Sequence, residues 1–280
     1  MAWIDGVVGP LASARVPVTD RGFLWGDHVF EIIRAERGVL CDGALHLARL
    51  ATSAGLVRMP PPDLDAIRRA IGATAAAAAE SSAAVRVMWT RGDGHGLDPT
   101  TAGPPRLVVM VEALGSAPAG VRLATLRARR GDALVPAAAK TGNYLASVLA
   151  IAAAADAGAD DALLVDADGC ALETATANLF VVDSAGIVTP TGAILNGVTA
   201  VRVAALLAAA GYAVAPARVS IERVRAAAEL FVTSARRGPV PVVAIDGVPR
   251  PVGPVARAAM TAYAAWIASC AAAGNGATLI

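Results

Sequence analysis

The chain has 280 residues, which suggests one large domain or two domains of ordinary size. Its apolar fraction is 56%, but much of that is alanine, and the apolar runs end too early to span a bilayer, so we expect no membrane partner. The net charge is +1 and there is no basic block, which argues against nucleic acid as a partner.

Cysteine and histidine are few and widely spaced. The three cysteines form no CxxC pair and the three histidines no ligand-spaced pair, so we expect neither a disulfide framework nor a metal site. The opening MAWIDG carries an acid at Asp5 and does not resemble a secretion signal. We therefore expect a cytoplasmic protein with reduced cysteines.

The first part of the chain mixes strand and helix signals. Asp63 follows three prolines and is a good N-cap. The predicted elements are strands at 29–35 and 39–41, helices at 45–56 and 63–79, and strands at 85–89 and 107–111. Residues 114–120, LGSAPAG, are the best linker candidate because they are small residues, Gly and Pro between two strand signals.

The second part begins with a strand at 121–126 and a helix at 144–157. It continues with strands at 162–165 and 178–182, a helix at 199–210 with Gly211 just past its end, a strand at 230–233 and a helix at 254–272. Strands and helices do not alternate regularly, which predicts an α+β fold. We expect an N-terminal α/β domain at 1–113, the linker at 114–120, and a C-terminal cofactor-binding domain at 121–280.

Lys140 stands out because Asp132 and Lys140 are the only charged residues between Gly131 and Ala155. A lone amine in an apolar setting loses its proton more readily and becomes a nucleophile toward carbonyls, as a Schiff-base lysine must. The alternative is a lysine whose amine extends to water from the start of a helix.

Glu173 is the second isolated charge, the only ionisable group between Asp168 and Asp183 apart from Cys170. A carboxylate held in an apolar strand needs a cationic partner, and in pyridoxal chemistry that partner is the protonated pyridine nitrogen. The alternative is a solvent-facing residue on an edge strand.

Two further features suggest an anion site. The start of a helix at Leu195-Asn196-Gly197-Val198-Thr199 would present free N–H groups, and Arg49 could clamp a phosphate with its planar guanidinium. Each has an ordinary explanation, a capped helix or a solvated arginine. Together with Lys140 and Glu173 they are the parts needed to hold a phosphorylated aldehyde cofactor.

The whole set resembles the class IV aminotransferases, the fold-type IV pyridoxal-phosphate enzymes. The similar segments follow one another along nearly the whole chain. They are DRGFLWGDHVFEIIR, LHLARLATSAGL, VRVMWTRGDGHGLDP, AAAKTGNYLASVLA, GADDALLVDADGCALETATANLFVV, TPTGAILNGVTAVRV and AELFVTSARRGPVPVVAIDG.

The resemblance implies a role for each matching residue. Lys140 would form the Schiff base and move the proton, and Glu173 would bind the pyridine nitrogen. Arg49, Val198 and Thr199 would bind the phosphate, with Ser234 adding to it. Tyr144 would reach the phenolic oxygen, and Asn178 would support the strand beside Glu173. The resemblance also implies a homodimer with the site at the domain boundary.

The sequence departs from the family at substrate positions. Ile32 stands where branched-chain enzymes usually carry Gly, His28 replaces a usual Gly, and Ala235 replaces a hydroxyl residue. The Arg-x-His carboxylate trap of D-amino-acid enzymes is missing, with GHGLDP in its place.

Substrate would therefore meet a different set of side chains. The candidates are Phe30, Ile32, Arg34, Arg91, Ala235 and Arg236, with Arg237 beside the last, because a guanidinium suits a substrate carboxylate. The alternative for Arg236 and Arg237 is a solvated pair in a loop.

We expect transamination between an amino acid and a 2-oxo acid, with D-amino acids favoured because Ile32 would crowd the site, and branched-chain L-amino acids next. One alternative is 4-amino-4-deoxychorismate lyase, since Ser234-Ala235 resembles the Asn-Ala of that enzyme. The other is a family member that binds the cofactor without turnover, against which Lys140 and Glu173 argue.

Overall fold

The computed structural model describes residues 1–127 and 134–273. They form two compact units, each described by itself below. The first contains Met1–Gly115, Ala139–Asn143 and the described part of Ile267–Ile280; the second contains the described parts of Ser116–Ala138 and Tyr144–Trp266. Both units combine strands and helices, so the predicted α+β class is confirmed.

The first unit is built on a six-stranded antiparallel sheet in the order β2-β1-β6-β5-β3-β4. Its elements are β1 (Ala2–Ile4), β2 (Val7–Gly9), α1 (Arg21–Trp25), β3 (His28–Glu36), β4 (Val39–Leu40), α2 (Gly43–Leu56), α3 (Leu64–Ala78), β5 (Ser82–Thr90) and β6 (Arg106–Ala113). Asp63 caps α3 as predicted, because its side chain accepts hydrogen bonds from the N–H groups of Asp65 and Ala66.

One face of this sheet is packed by the helices. Val29 and Ile33 of β3 share a buried cluster with Leu47 and Leu50 of α2 and with Ile67 of α3. Because successive residues of a strand point to opposite faces, Phe30, Ile32 and Arg34 lie on the other face of β3. The helices thus determine which side chains of the sheet remain for a site.

The second unit contains a ten-stranded mixed sheet in the order β12-β11-β10-β14-β15-β7-β8-β9-β13, with β16 paired to β15. Its elements are β7 (Val121–Arg127), α4 (Leu145–Asp156), β8 (Asp161–Val165), β9 (Cys170–Thr174), β10 (Asn178–Asp183), β11 (Gly186–Pro190), α5 (Val198–Ala209), β12 (Val214–Ala217), β13 (Val219–Ser220), α6 (Ile221–Ala226), β14 (Glu229–Ser234), β15 (Gly238–Ile245), β16 (Val248–Pro249) and α7 (Pro254–Ala273).

The centre of the second unit is apolar and tightly packed. Phe180 of β10 and Phe231 of β14 are fully buried and stack with ring centroids 4.6 Å apart. Gly211 follows α5 with φ of +87°, so the predicted glycine stop is confirmed. In the described ranges, no helix combines the length and the apolar character needed to cross a bilayer.

The two units do not divide the chain as the predicted domains do. The segment Ala139–Asn143, with Lys140, groups with the N-terminal residues rather than with the residues that follow 121. Its backbone bonds to β3 are the reason, as described below. The domain boundaries at 113 and 121 stay a prediction.

Candidate active site

Lys140 is held against the start of β3 by its backbone. The carbonyl of Lys140 accepts a 3.0 Å hydrogen bond from the N–H of Phe30, and the N–H of Gly142 donates to the carbonyl of His28 at 2.9 Å. Val29 and Thr141 form an antiparallel bridge between these bonds. The N–H of Lys140 also donates to the buried hydroxyl of Ser53 on α2. Lys140 is therefore fixed in position although it lies outside any regular element.

The ring of His28 packs directly on this segment. A Cβ atom at residue 142 would lie 2.0 Å from the His28 ring, so only glycine fits there. Burial lowers the pKa of His28 despite a backbone hydrogen bond at Gly22, and its Nδ1 is buried without a partner among the described residues. The histidine in place of the usual glycine thus makes Gly142 obligatory.

The Phe30 ring lies between two cations. The Lys140 Nζ is 4.4 Å from the ring centroid, and the Cζ of Arg86 is 5.1 Å from it. A ring face attracts cations at such distances. Arg86 of β5 pairs in register with Ile32, which places both on the same face of the sheet as Phe30. The sequence analysis missed Arg86, although it is the only charged residue in β5 and alternates there with the buried Val85 and Val87.

The predicted phosphate residue Arg49 lies on α2 beside a buried acid. Its Nε and one terminal nitrogen each contact one oxygen of the Glu31 carboxylate at 2.7 Å. The Nδ1 of His46 contacts the same carboxylate at 2.7 Å. Burial raises the pKa of Glu31, but hydrogen bonds from Arg49 and His46 outweigh it and leave the pKa below its usual value. This carboxylate is therefore an ionised group inside the unit.

Arg34 and Arg91, two substrate candidates, have partners inside the first unit. The Nε of Arg34 contacts Glu36 at 2.6 Å. Arg91 is buried, its Nε contacts Asp27 at 2.8 Å, and its terminal nitrogens donate to the carbonyls of Arg58 and Val57. Three described bonds to the surrounding backbone and acid favour a structural part for Arg91.

In the second unit, Glu173 and Asn178 come together as predicted for neighbouring strands. The Asn178 amide donates to the Glu173 carboxylate at 3.4 Å and to the carbonyl of Leu195 at 2.9 Å. The N–H of Leu195 also donates to Glu173, at 3.3 Å. Glu173 is 8% exposed. A buried carboxylate with two long hydrogen bonds is suited to a positive ligand group.

The start of α5 lies against the same asparagine. Gly197 is the N-cap, makes no side-chain capping bond, and precedes the buried Val198 and Thr199. A Cβ at Gly197 would lie 1.8 Å from the Asn178 side-chain oxygen, so a larger residue would push this amide away from its partners. The helix start and Asn178 are thus built as one site.

Thr233 of β14 is a further polar group that sequence reasoning did not select. It pairs in register with Asn178, and its hydroxyl is buried without a hydrogen-bond partner among the described residues. The signal was present in the sequence, since Thr233 directly precedes the predicted Ser234. A buried hydroxyl left unsatisfied is commonly completed by a ligand or water.

The remaining candidates of the second unit lie after β14 and before α4. The Nε of Arg237 donates to the Ser234 hydroxyl at 3.3 Å, and a terminal nitrogen donates to Thr176 at 2.7 Å. Arg236 is exposed, Ala235 is half-buried, and Tyr144 precedes α4 with 38% of its surface exposed. Arg237 therefore ties the Ser234 turn to the Thr176 turn rather than standing free in a loop.

The comparisons identify the family. The model for amino-transferase class IV matches residues 28–245, so the chain belongs to that family. A putative branched-chain-amino-acid aminotransferase of Methanocaldococcus jannaschii is 36% identical over 88% of both chains. A bifunctional aminodeoxychorismate lyase / D-amino acid transaminase of Mycobacterium tuberculosis is 32% identical over 61% of this chain and 62% of its own.

A solved structure confirms the predicted fold-type IV architecture. The fold IV-transaminase of Curtobacterium pusillum superposes with a TM-score of 0.83 and 29% identity, over 94% of this chain and 93% of that chain. The chain is a pyridoxal-phosphate-dependent aminotransferase, as the resemblance implied.

The residues present fit this cofactor. The space kept open by Gly197 beside Asn178, the unsatisfied Thr233 hydroxyl and the free N–H groups at the start of α5 suit a phosphate. Glu173 supplies the buried carboxylate that a pyridinium requires, and Lys140 supplies the amine.

A pH-dependent prediction concerns Asp27, whose carboxylate contacts both Arg21 and Arg91. Burial raises its pKa, but the hydrogen bonds and charges of Arg91 and Arg21 bring the pKa below its usual value. A carboxylate with a lowered pKa stabilises the fold above its unfolded pKa of about 3.9, and this contribution is lost as pH falls through the folded value.

Asp27→Asn should therefore lower the free energy of unfolding at pH 7 by about 1–3 kcal/mol. The difference from wild type should shrink below about pH 4. Urea titrations across pH measure both effects. Asp65→Asn, an exposed carboxylate paired with Arg68, is the control and should change little. A difference that stays constant down to the acid limit would contradict the argument.

Proposed function

We propose that this enzyme moves an amino group between an α-amino acid and a 2-oxo acid, with Lys140 as the catalytic lysine. The observation that carries the proposal is the position of Lys140, whose backbone is fixed on β3 while its amine lies over the Phe30 ring. A fixed amine against an apolar ring suits a group that must accept and return a proton at Cα.

Each half of the cofactor has proposed partners. Val198, Thr199, Ser234 and Arg49 hold the phosphate, as the resemblance implied, and the Thr233 hydroxyl adds to them.

At the ring, Glu173 holds the pyridine nitrogen, Asn178 holds Glu173 in place, and Tyr144 meets the phenolic oxygen. When bound, pyridoxal phosphate withdraws electrons from the Cα of the substrate during the transfer.

Arg86 is the proposed receptor of a substrate carboxylate. It lies across Phe30 from the lysine amine and beside Ile32, on the sheet face that the helices leave uncovered. A planar guanidinium binds a carboxylate through two parallel hydrogen bonds. Among the arginines of the first unit, Arg86 is thus better placed than Arg34 or Arg91 to meet substrate near Lys140.

For the substrate side chain we propose apolar, branched-chain L-amino acids first and D-amino acids second. Phe30, Ile32 and Met88 give the sheet face around Lys140 an apolar lining, since Met88 pairs in register with Phe30. The names of the relatives support branched-chain substrates. The crowding by Ile32, which favoured D-amino acids in the sequence, supports the second class.

The second candidate function is aminodeoxychorismate lyase. The Ser234-Ala235 pair and the bifunctional relative support it. A lyase would release pyruvate from its substrate without a 2-oxo acid acceptor, so one assay separates the two activities.

A half-reaction tests the function. Adding L-leucine or L-glutamate to the purified protein should change the visible absorbance of the bound cofactor and release the matching 2-oxo acid, and Lys140→Ala should abolish this. A response to D-alanine and D-glutamate alone would instead assign the D-amino-acid class. Pyruvate formed from aminodeoxychorismate, with no response to the amino acids, would assign the lyase.

A substitution tests the carboxylate receptor. Arg86→Gln should raise KM for amino and 2-oxo acids about tenfold or more, because a charge-assisted hydrogen bond is lost. Arg68→Gln, an exposed arginine on α3, is the control. If Arg34→Gln or Arg236→Gln raises KM and Arg86→Gln does not, the carboxylate is bound elsewhere.

We also propose that the protein is a cytoplasmic homodimer. On α4 the exposed side chains of Leu145, Val148 and Leu149 form an apolar stripe, with exposures of 59–69%, opposite the buried Ala150 and Ala154. Such a stripe is typical of a surface covered by another chain. The cytoplasmic location is supported by the sparse cysteines of the sequence.

Leu149→Glu should therefore give a monomer, because it places a charge within the apolar stripe. Light scattering coupled to size-exclusion chromatography measures the mass. Val248→Glu, at an exposed valine outside the stripe, should leave the dimer intact. A wild-type protein that elutes as a monomer would refute the homodimer, and a dimeric Leu149→Glu protein would exclude the α4 stripe as its interface.

A further inference from the structure

We infer that Glu31 is a positioning residue that fixes the Arg49 guanidinium for the cofactor phosphate, an inference that rests on the proposed phosphate role of Arg49. Glu31 was not among the predicted site residues. It lies on β3 directly between Phe30 and Ile32, but its side chain faces the helices.

The contact between Glu31 and Arg49 is bidentate and buried. Nε and one terminal nitrogen of Arg49 each meet one carboxylate oxygen at 2.7 Å. The Glu31 side chain is 0% exposed and that of Arg49 13% exposed. Two parallel bonds fix the plane of a guanidinium as well as its position, which a single bond cannot do.

His46 completes the arrangement from the same helix. It precedes Arg49 by three residues on α2, so both side chains lie on one face of the helix and reach the same carboxylate. A carboxylate only accepts hydrogen bonds when ionised, so the His46 Nδ1 donates. Glu31 is thus held by two donors and cannot follow Arg49 if the arginine turns.

The edge of Arg49 engaged by Glu31 determines which edge is left to aim elsewhere. A guanidinium has two bidentate edges, one formed by Nε with a terminal nitrogen and one formed by the two terminal nitrogens. Glu31 engages the first edge. The direction of the second edge is then set by the rigid pair, and a phosphate of fixed position gains from that orientation.

An opposing effect makes the inference sharp. Glu31 also neutralises the charge of Arg49, which by itself weakens the attraction to a phosphate. If neutralisation prevails, Glu31→Gln tightens phosphate binding; if positioning prevails, the same substitution weakens it. Glu31→Asp keeps the charge but shortens the side chain, so only the positioning role predicts a loss.

The test compares binding of pyridoxal 5'-phosphate with binding of pyridoxal, which lacks the phosphate, to the full-length apo-protein. Glu31→Gln and Glu31→Asp should each raise the Kd of the phosphate form about tenfold and leave the Kd of pyridoxal unchanged. The 31P NMR shift of the bound phosphate should change in the same variants. Glu36→Gln is the matched control, because Glu36 is also a buried acid of β3 paired with an arginine.

Three outcomes would overturn the inference. Tighter phosphate binding in Glu31→Gln would make Glu31 a neutralising group, and equal weakening for both ligands would make it structural. If Arg49→Gln leaves the ratio of the two Kd values unchanged, the phosphate role of Arg49 fails with it. Transamination itself is read separately in the half-reaction, so its failure cannot be mistaken for any of these.

Discussion

The arrangement around Lys140 depends on an unfilled edge of β3. The strand is nine residues long, but β4 is only two residues long and pairs with Ala35 and Glu36 alone. A strand edge left without partners is unfavourable inside a protein, since each free N–H and C=O must find another bond. The segment at 140–142 supplies those bonds to His28 and Phe30, which is why a stretch with no secondary structure of its own holds a definite place.

A second constraint is that acids and bases inside each unit are matched. Asp27 joins Arg21 to Arg91, and Glu31 joins His46 to Arg49. Burying one member of such a pair alone would be costly, whereas the matched pair costs much less. Arginines that the sequence offers equally for substrate are thus separated by the fold into those bound by neighbouring acids and backbone and those, such as Arg86, that lie beside the lysine.

The fold was largely predictable because its helices and central strands have strong local signals. The N-cap at Asp63 and the glycine stop at Gly211 are encoded by single residues, and the alternation in β3 and β5 by short patterns. Strands β11, β12 and β16 were not predicted, because they are short and contain or adjoin proline and glycine.

The candidate site was predictable where one unusual residue carries the chemistry. Lys140 and Glu173 are isolated charges in apolar sequence, and the proximity of Asn178 to Glu173 follows from neighbouring strands. Arg86 and Thr233 could not be selected, because their value depends on strand register with Ile32 and Asn178, which no local pattern encodes. Glu31 looked like part of a strand, and only the approach of α2 reveals its partners.

The pairing of the Lys140 segment with β3 also limits how the enzyme can move during its reaction. A backbone held on both sides of the lysine cannot shift without breaking bonds to His28 and Phe30. The amine must therefore travel between its positions by rotation about the bonds of its own side chain. Such rotations take picoseconds to nanoseconds in exposed side chains, far faster than rearrangements of loops. The working part of this enzyme is one flexible arm on a stationary mount.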